Sequence, residues 1–291
     1  MRLAHAACAD YGLLDSGGGR KLERFGAYRF VRPEAQALWK PALADEVWAE
    51  ADGEFVLFEG QKGALEGGWR LKAPLPERWL MQCAGLRFWV QPTPYRHMGV
   101  FPEQAAQWDW LRERITHAGR LIRVLNLFAY TGGATLAAAA AAAQVTHVDA
   151  ARNTVAWARE NALLSDLAQR PIRWIVDDAL KFVQREGRRG QKYDVILLDP
   201  PPFGHGPRGE VWKFDKSLPL LLEACRGLWS AQPLALILTA YSAQSSPQKL
   251  YAAISELMAA HGGLVEAGTL VTYEQSAGRA LTGAMFARWS A

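Results

Sequence analysis

Cysteine is scarce in this chain of 291 residues, which contains only Cys8, Cys83 and Cys225. The three are far apart in the sequence, and no pair has the C-x-x-C spacing of zinc-binding or redox-active cysteines. We therefore expect neither a disulfide framework nor a zinc site, and no other metal is predicted. This use of cysteine is typical of a protein of the reducing cytoplasm.

Long hydrophobic runs are also missing. The longest bland run, from Ala137 to Ala143, is far shorter than the roughly 20 apolar residues of a membrane helix. Residues 1–8 contain small side chains but lack the hydrophobic segment, of roughly 7 to 15 residues, that an export signal needs. We expect no membrane association and no export. The net charge of +4 is compatible with a polyanionic partner but does not require one.

The composition is that of a globular protein, because half of the residues are hydrophobic and 21% are charged. The length exceeds the roughly 100 to 200 residues of one domain, so we predict two. Residues 1–95 contain short apolar stretches separated by Gly and Pro, which predicts a small β-rich domain. Basic residues that follow Gly17, Gly18 and Gly19 are expected to form a flexible, exposed loop.

Strand and helix patterns alternate in residues 96–291. Near-continuous apolar strands separated by helices predict a parallel sheet with helices on both faces, so the fold class is α/β. The predicted strands are 121–127, 145–149, 172–176, 195–198, 234–238, 265–270 and 284–289. The predicted helices are 102–117, 134–143, 153–164, 180–186, 218–228 and 247–261.

Chemically unusual residues follow the first four of these strands. In such sheets ligands bind at the carboxyl ends of the strands. The first strand leads into Gly132-Gly133 and a helix N-terminus, where paired glycines let backbone approach a ligand. The second ends at Asp149. Its separation from Gly132 in the sequence is close to the roughly 20 residues at which an acidic side chain meets ribose hydroxyls. The third and fourth lead into Asp177-Asp178 and Asp199-Pro200-Pro201-Pro202-Phe203.

A glycine turn and three acidic strand ends, in this order, predict a pocket for an adenosine-containing cofactor. The turn has no G-x-G-x-x-G pattern, so no array of glycines brings backbone amides against a pyrophosphate. A nicotinamide-dependent oxidoreductase is therefore disfavoured. S-adenosylmethionine carries no phosphate and needs no such array.

The same segments carry a resemblance to a known family. Residues 124–135, Val148-Asp149-Ala150, Asp177-Asp178-Ala179 and Asp199-Pro200-Pro201-x-Phe203 resemble class I S-adenosylmethionine-dependent methyltransferases. They resemble more narrowly the branch that includes bacterial large-subunit rRNA cytosine-C5 and guanine-N7 methyltransferases. The likeness covers roughly residues 95–291, and Gly99-Val100-Phe101-Pro102-Glu103-Gln104 is similar to the family's Gly-x-Phe-x-Asp-Gln segment.

The resemblance implies a fold and a set of site residues. It implies a Rossmann-like, seven-stranded methyltransferase sheet and a substrate-binding role for the N-terminal domain. The glycine turn would hold the methionine part, the second-strand acid the ribose, and Asp178, with Asp177 as second choice, the adenine. The implied cofactor-binding residues are Asn126, Phe128, Ala129, Tyr130, Thr131, Gly132, Asp149, Ala150, Asp177, Asp178 and Asp199. The implied catalytic residues are Asp199, Pro200, Pro201 and Phe203.

One departure from the family decides between two chemistries. Cytosine C5 is not nucleophilic, so its methylation needs a cysteine thiolate that adds to the ring. The related cytosine enzymes carry this cysteine just after the fifth strand, where this chain reads Thr239-Ala240-Tyr241-Ser242-Ala243. Cys225 lies on a predicted helix, and we interpret it as a small core residue. Direct methylation of a base nitrogen, which needs orientation and no nucleophilic catalyst, is therefore favoured.

The sequence predicts an S-adenosylmethionine-dependent methyltransferase that modifies RNA, with rRNA as the first choice of substrate. Two alternatives stay open: a non-enzymatic RNA-binding scaffold that keeps a relic cofactor pocket, and a methyltransferase that acts on a non-RNA substrate. The modified nucleotide, the role of Ser242 and the oligomeric state are not determined by the sequence.

Overall fold

The computed structural model describes residues 1–4, 8–59, 65–241 and 245–291. The β-strands are β1 Arg2–Ala4, β2 Tyr11–Gly17, β3 Arg20–Phe25, β4 Tyr28–Pro33, β5 Gly53–Glu59, β6 Leu65–Leu71, β7 Trp79–Cys83, β8 Leu86–Val90, β9 Arg123–Leu127, β10 Gln144–Asp149, β11 Ile172–Val176, β12 Val195–Leu198, β13 Phe203–His205, β14 Val211–Lys213, β15 Ala235–Ala240, β16 Leu264–Tyr273 and β17 Ala280–Ser290. The helices are α1 Asp45–Ala49, α2 Ala105–His117, α3 Gly133–Ala140, α4 Arg152–Leu164, α5 Ala179–Arg188, α6 Phe214–Arg226 and α7 Pro247–Met258.

The chain packs as two compact units. The larger comprises Met1–Leu3, Ala106–Leu270 and Gly283–Ala291, and the smaller comprises Ala4–Ala105 and Val271–Thr282. The division into folding domains at residues 95 and 96 remains a prediction. The packing units differ from this predicted division in one respect, because Val271–Thr282, near the C-terminus, belongs to the smaller unit.

The larger unit is built on one sheet with the strand order β1-β16-β17-β15-β12-β9-β10-β11. Strands β9, β10, β11, β12 and β15 run parallel, and β17 pairs antiparallel with β15. The predicted α/β sheet with a β-rich N-terminal region is confirmed. Strand β1, at the edge next to β16, was not predicted, because three residues carry no periodic signal.

Alternate side chains of each strand enter two separate cores. In β12, Ile196 and Leu198 pack in a cluster with residues of α5, α6 and α7, whereas Val195 and Leu197 pack in another cluster with residues of α2 and α3. This alternation places helices on both faces of the sheet, as predicted.

Helices α5 and α7 begin at side chains that cap them. Asp178 accepts a hydrogen bond from the Lys181 amide before α5, and Ser246 accepts one from the Lys249 amide before α7. Each cap satisfies an amide that has no partner within its helix. The capping role of Asp178 bears on the predicted adenine contact, because it occupies one carboxylate oxygen.

The smaller unit contains the sheet β2-β3-β4-β5-β6 and the hairpin β7–β8. Its core is aromatic: the rings of Phe30 and Trp79 stack at 5.7 Å, and Trp69 meets Phe30 edge-on at 5.4 Å. Trp48 is buried as well. Trp48 and Trp79 are therefore core residues of this unit, whereas Trp39, Trp69 and Trp89 are half-buried.

The expectation of a flexible basic loop after Gly17 is wrong. Gly18 and Gly19, with φ of 59° and 75°, form the turn between β2 and β3, and the basic residues lie in paired strands. Arg32 binds both carboxylate oxygens of the buried Glu23 at 2.7 and 2.8 Å. Burial alone would raise the pKa of Glu23, but Arg32 and Lys21 lower it to about 2. Arg32 and Lys21 are therefore held in the folded structure because they compensate the buried negative charge of Glu23.

The expectation that the chain lacks disulfides is also wrong. Cys8 and Cys83 form a disulfide, with their Cα atoms 4.4 Å apart. The two are 75 positions apart in the sequence, so only tertiary folding brings them together. In the described part of the chain, no helix is long and apolar enough to cross a membrane.

Candidate functional site

The sheet brings the predicted site segments to one edge. Strands β12, β9, β10 and β11 are neighbours and parallel, so their carboxyl ends lie side by side. The glycine turn follows β9, Asp149 is the last residue of β10, Asp177-Asp178 follow β11, and the Asp199 loop follows β12. The topology therefore groups the four segments, as the sequence predicted.

The turn after β9 has an unusual backbone. Phe128, Tyr130 and Gly132 adopt φ of 56°, 48° and 94°, so left-handed residues occur at every second position. Such conformations cost free energy for residues other than glycine, and they concentrate at functional sites. Ala129 and Thr131 between them are buried. The Thr131 carbonyl accepts a hydrogen bond from Asn161 Nδ2 at 3.0 Å, which ties the turn to α4.

Packing explains the two glycines of this turn. A Cβ on Gly132 would lie 3.2 Å from the Cβ of Ala158 in α4, and a Cβ on Gly133 would collide with the Trp108 ring in α2. The sequence predicts that these glycines allow close approach of a ligand. The structure shows close approach of the neighbouring helices.

Asn126 is directed into the protein. Its Nδ2 donates to Thr135 Oγ1 at 2.9 Å, and Thr135 Oγ1 lies 2.9 Å from His147 Nδ1. All three side chains are buried. Burial lowers the pKa of His147 to about 3, so its ring is neutral at physiological pH. Asn126 thus links β9 to α3 and supports the turn from the protein interior. Its position in the motif did not predict this role.

Asp149 lies at the end of β10 and is held by three hydrogen bonds. Its Oδ2 accepts from the Tyr130 amide at 2.8 Å, and its Oδ1 accepts from the Ala151 amide and Thr154 Oγ1, both at 2.9 Å. Burial raises the pKa of this carboxyl, and the three hydrogen bonds oppose that rise. Ala150, next in the chain, is partly exposed.

This arrangement of Asp149 fits the cofactor that the sequence predicts. An ionised carboxylate has about four acceptor positions, and the protein uses three, which leaves one for a hydroxyl group. The Tyr130 amide also joins the carboxylate to the turn. An adenosine ribose at this edge of the sheet would meet an acceptor whose position is already set.

Asp177 and Asp178 follow β11 and have different partners. Asp177 forms an ion pair of 2.6 Å with Arg185, and its Oδ1 accepts from the Asp178 amide at 3.0 Å. Asp178 Oδ1 accepts from the Lys181 amide at 2.9 Å as the cap of α5. Both carboxylates therefore have structural roles, and the choice of Asp178 as the adenine contact stays a prediction.

The segment after β12 forms a braced loop. Pro200 is buried, the Pro201 carbonyl accepts from Trp212 Nε1 at 2.7 Å, and the Pro202 carbonyl accepts from the Phe214 amide at 3.0 Å. Asp199 is partly buried at the start of this loop. The loop is therefore held by hydrogen bonds from the segment that follows it, in addition to its prolines.

Phe203 begins a hairpin that the sequence did not reveal. Strand β13 pairs antiparallel with β14, and the Phe203 side chain is 53% exposed. The sequence predicted only a loop here, because the two strands of the hairpin have three residues each. The pair Gly206 and Gly209 around Pro207 was a turn signal that could have indicated it.

Cys225 is buried in α6 among core residues, which confirms its interpretation. Burial raises the pKa of its thiol to about 12. The other two cysteines are joined in the disulfide. Thr239 and Ala240 are the last residues of the fifth parallel strand, β15, and Tyr241 follows it, whereas Ser242 and Ala243 lie outside the described residues. No cysteine of the described chain is in a state to act as a thiolate nucleophile.

Five parallel strands next to the antiparallel β17, with acidic residues at or just after the ends of adjacent parallel strands, define a nucleoside-cofactor fold. The profile of the S-adenosylmethionine-dependent methyltransferase family matches residues 33–223. The chain belongs to this family, and its cofactor is S-adenosylmethionine.

A solved structure supports the assignment over the whole chain. A SAM-dependent methyltransferase from Agrobacterium tumefaciens is 47% identical, with a TM-score of 0.93 over 100% of this chain and 93% of that chain. A solved structure from Streptococcus mutans, at 17% identity, shares the fold with a TM-score of 0.71 over 98% of this chain and 76% of that chain.

Curated relatives match over a shorter stretch. The ribosomal RNA large subunit methyltransferase K/L of Aeromonas hydrophila is 30% identical over 185 residues, which are 62% of this chain and 24% of the relative. The protein of the same name from Shewanella sp. (strain ANA-3) is 34% identical over 128 residues, which are 43% of this chain and 17% of the relative. The chain therefore spans about a fifth of the length of these relatives.

Proposed function

We propose that this chain transfers a methyl group from S-adenosylmethionine to a nitrogen atom of a base in ribosomal RNA, without a cysteine nucleophile. The observation that carries the proposal is the braced loop from Asp199 to Phe203, which presents an exposed ring beside the ends of the cofactor strands. The names of the curated relatives support rRNA as the substrate.

The cofactor supplies an electrophilic methyl group on a sulfonium centre. In our proposal Asp149 binds the ribose hydroxyls, Asp178 the adenine, and the turn from Asn126 to Gly132 the methionine part. Within this proposal Asn126 acts indirectly, because its Nδ2 donates to Thr135 and so supports the turn. Ala129, Thr131 and Ala150 contribute through backbone position rather than side-chain chemistry.

The acceptor side of the proposal rests on three groups of the braced loop. The Asp199 carboxylate and the Pro200 carbonyl accept hydrogen bonds from a base amine, which orients the ring nitrogen or amine that is methylated. Phe203 stacks on the face of the base. Because base nitrogens already have a lone pair, such positioning supplies much of the rate enhancement.

The chemistry of the cysteines supports nitrogen over carbon as the acceptor. Methylation at cytosine C5 needs a thiolate, and Cys225 is buried with a raised thiol pKa while Cys8 and Cys83 are bonded to each other. The N-terminal unit is proposed to bind substrate, on the strength of the family resemblance alone.

Transfer of tritiated methyl groups to cell extract tests the substrate class. The extract comes from a strain that lacks the gene, so that its acceptor sites are unmodified. We expect label in large-subunit rRNA that is lost on nuclease treatment. Label that survives nuclease but is lost on protease treatment would overturn the RNA assignment. Salt-sensitive RNA binding without any affinity for S-adenosylmethionine would instead identify an RNA-binding scaffold.

Phe203→Ala tests the acceptor side of the site. Loss of one base–aromatic stack costs about 1 to 3 kcal/mol, so KM for RNA should rise by about fivefold to 150-fold. The affinity for S-adenosylmethionine, measured by isothermal titration, should not change. Tyr251→Ala is the matched control, because Tyr251 is a similarly exposed aromatic residue on α7. Equal effects of both substitutions would contradict the stacking role.

A further inference from the structure

We propose that Trp212 is a positioning residue for methyl transfer. It holds the braced loop from Asp199 to Phe203, called the acceptor loop below, in place relative to the turn from Asn126 to Gly132, called the cofactor turn. The proposal rests on the proposed function and extends it. Trp212 lies outside every motif that the sequence identified, in strand β14 of the hairpin β13–β14.

The hairpin has two different faces. Phe203 pairs with Lys213, and His205 pairs with Val211, so these four side chains project from one face. All four are exposed. Trp212 pairs with Gly204 and projects from the other face, where it is 5% exposed. The glycine opposite Trp212 adds no side chain on the inner face.

The inner face of the hairpin connects two parts of the site through one side chain. Trp212 Nε1 donates a hydrogen bond of 2.7 Å to the carbonyl of Pro201 in the acceptor loop. The Trp212 ring packs on the Phe128 ring, with centroids 4.7 Å apart and the planes inclined by 59°. Phe128 is the first left-handed residue of the turn after β9. Trp212 therefore contacts both the loop proposed to hold the base and the turn proposed to hold the cofactor.

The rest of the hairpin fixes the position of Trp212. The Phe214 amide donates to the Pro202 carbonyl at 3.0 Å, directly after β14. At the other end, the Gly206 amide donates to the Glu210 carbonyl at 2.8 Å, and the Glu210 carboxylate pairs with Lys181 of α5 at 2.5 Å. Because the hairpin is tied at both ends, movement of Trp212 requires movement of the loop.

These contacts predict separable effects of two substitutions. Trp212→Phe keeps a ring against Phe128 but removes the N–H group, so it releases the Pro201 carbonyl alone. Trp212→Leu removes both contacts. Methyl transfer depends steeply on the distance and direction of approach, so small displacements of the loop reduce kcat.

The experiment measures methyl transfer, cofactor affinity and amide hydrogen exchange for each variant. For Trp212→Phe we expect kcat to fall by about tenfold. The dissociation constant for S-adenosylmethionine should stay within about twofold, because a hydrogen bond on the acceptor side only is lost. The amides of residues 203–206 should exchange faster, since the loop is released. For Trp212→Leu the cofactor should also bind more weakly, by about fivefold or more.

Trp229→Phe is the matched control. Trp229 is a 5% exposed tryptophan of the same hydrophobic cluster, so the same side-chain area is lost from the same core. It forms a bridge with Tyr193, which precedes β12, and so lies at the amino ends of the strands, opposite the site. We expect kcat, cofactor affinity and exchange of residues 203–206 to be unchanged.

The readouts separate failure of this proposal from failure of the proposed function. An unchanged kcat and unchanged exchange of residues 203–206 in Trp212→Phe would overturn the positioning role, as would equal losses in Trp229→Phe. If the wild-type protein does not methylate RNA, the proposed function fails. The exchange and cofactor-binding measurements still decide the role of Trp212 in that case. Phe128→Leu removes the ring contact from its other side and replaces Trp212→Leu if that variant does not fold.

Discussion

At the scale of single residues, Asp149 shows how one side chain serves both the fold and the proposed site. Its two oxygens receive hydrogen bonds from the turn after β9 and from the start of α4. Backbone N–H donors face both oxygens, so an asparagine here would direct its amide at a donor in either orientation. The position therefore requires a carboxylate and not merely a polar group of that shape.

Asp149→Ala should weaken binding of S-adenosylmethionine by on the order of 1 to 3 kcal/mol, because a charge-assisted bond to the ribose is lost. Isothermal titration measures the change. Glu223→Ala, at an exposed carboxylate of α6 that pairs with Arg226, is the control and should bind normally. An affinity unchanged from wild type would remove the ribose assignment.

The same carboxylate predicts a pH dependence of cofactor binding. Burial raises the pKa of Asp149 in the folded protein. Protonation removes the negative charge and turns one acceptor oxygen into a donor, so the affinity should fall as the pH is lowered through this raised pKa. The fall should begin at a higher pH than an ordinary aspartate would give. Asp149→Asn cannot titrate and should lack this step.

At the scale of structural elements, the turn between β9 and α3 has an unusual backbone. Three residues with positive φ occur within five positions, and two of them are not glycine. Hydrogen bonds from Asn161 and to Asp149 hold this conformation, and Asn126 supports it from the sheet. The elements around the turn therefore determine its shape, and the local sequence alone does not.

Gly132→Ala should destabilise the protein and weaken cofactor binding. The substitution places a Cβ at φ of 94°, 3.2 Å from Ala158, so α4 must shift along with the turn. The left-handed conformation by itself costs roughly 1 to 2 kcal/mol for alanine. Thermal unfolding and titration with S-adenosylmethionine measure the two effects.

Gly119→Ala is the matched control for this element. Gly119 has φ of 63°, but a Cβ there would meet no atom within 4 Å. We expect a similar conformational cost in stability with normal cofactor affinity. If both variants bind the cofactor equally, the packing of the turn on α4 does not matter for the site.

At the scale of the complete chain, segments that are far apart in the sequence pack together in one unit. Val271–Thr282 belongs to the smaller unit, together with Ala4–Ala105. There the Ser276 hydroxyl donates to Asp15 Oδ1 at 2.6 Å, and Arg279 pairs with the same carboxylate at 3.2 Å. Asp15 is fully buried. The smaller unit therefore depends on a segment from the far end of the chain.

A fragment of residues 1–105 should not unfold cooperatively. Without residues 271–282, Asp15 loses the partners Ser276 and Arg279, and removal of one partner of a buried ion pair costs about 3 to 5 kcal/mol. Urea titration followed by circular dichroism measures the transition, with the full chain as control. A sharp transition of the fragment would show that residues 1–105 form a complete folding domain, close to the division predicted at residue 95.

Much of the larger unit could be predicted from sequence because its signals are local. Strands such as Ile172–Val176 and Val195–Leu198 are short apolar runs, and the observed bounds agree with the predicted ones. Parallel strands then bring the residues after them to one edge, so Asp149, Asp178 and Asp199 could be grouped without coordinates. The assignment of individual roles at that edge remains a prediction.

Local sequence patterns predict most of the strands and helices in their order and the class of cofactor, and they disfavour a thiolate mechanism. Each of these depends on neighbouring residues or on the absence of a residue type from a position. Packing of the folded chain establishes the disulfide between Cys8 and Cys83, the inward direction of Asn126, and the contact of Trp212 with both Pro201 and Phe128. These contacts join residues distant in the chain or depend on which way a side chain points. No local pattern encodes them, because they form only when the elements pack.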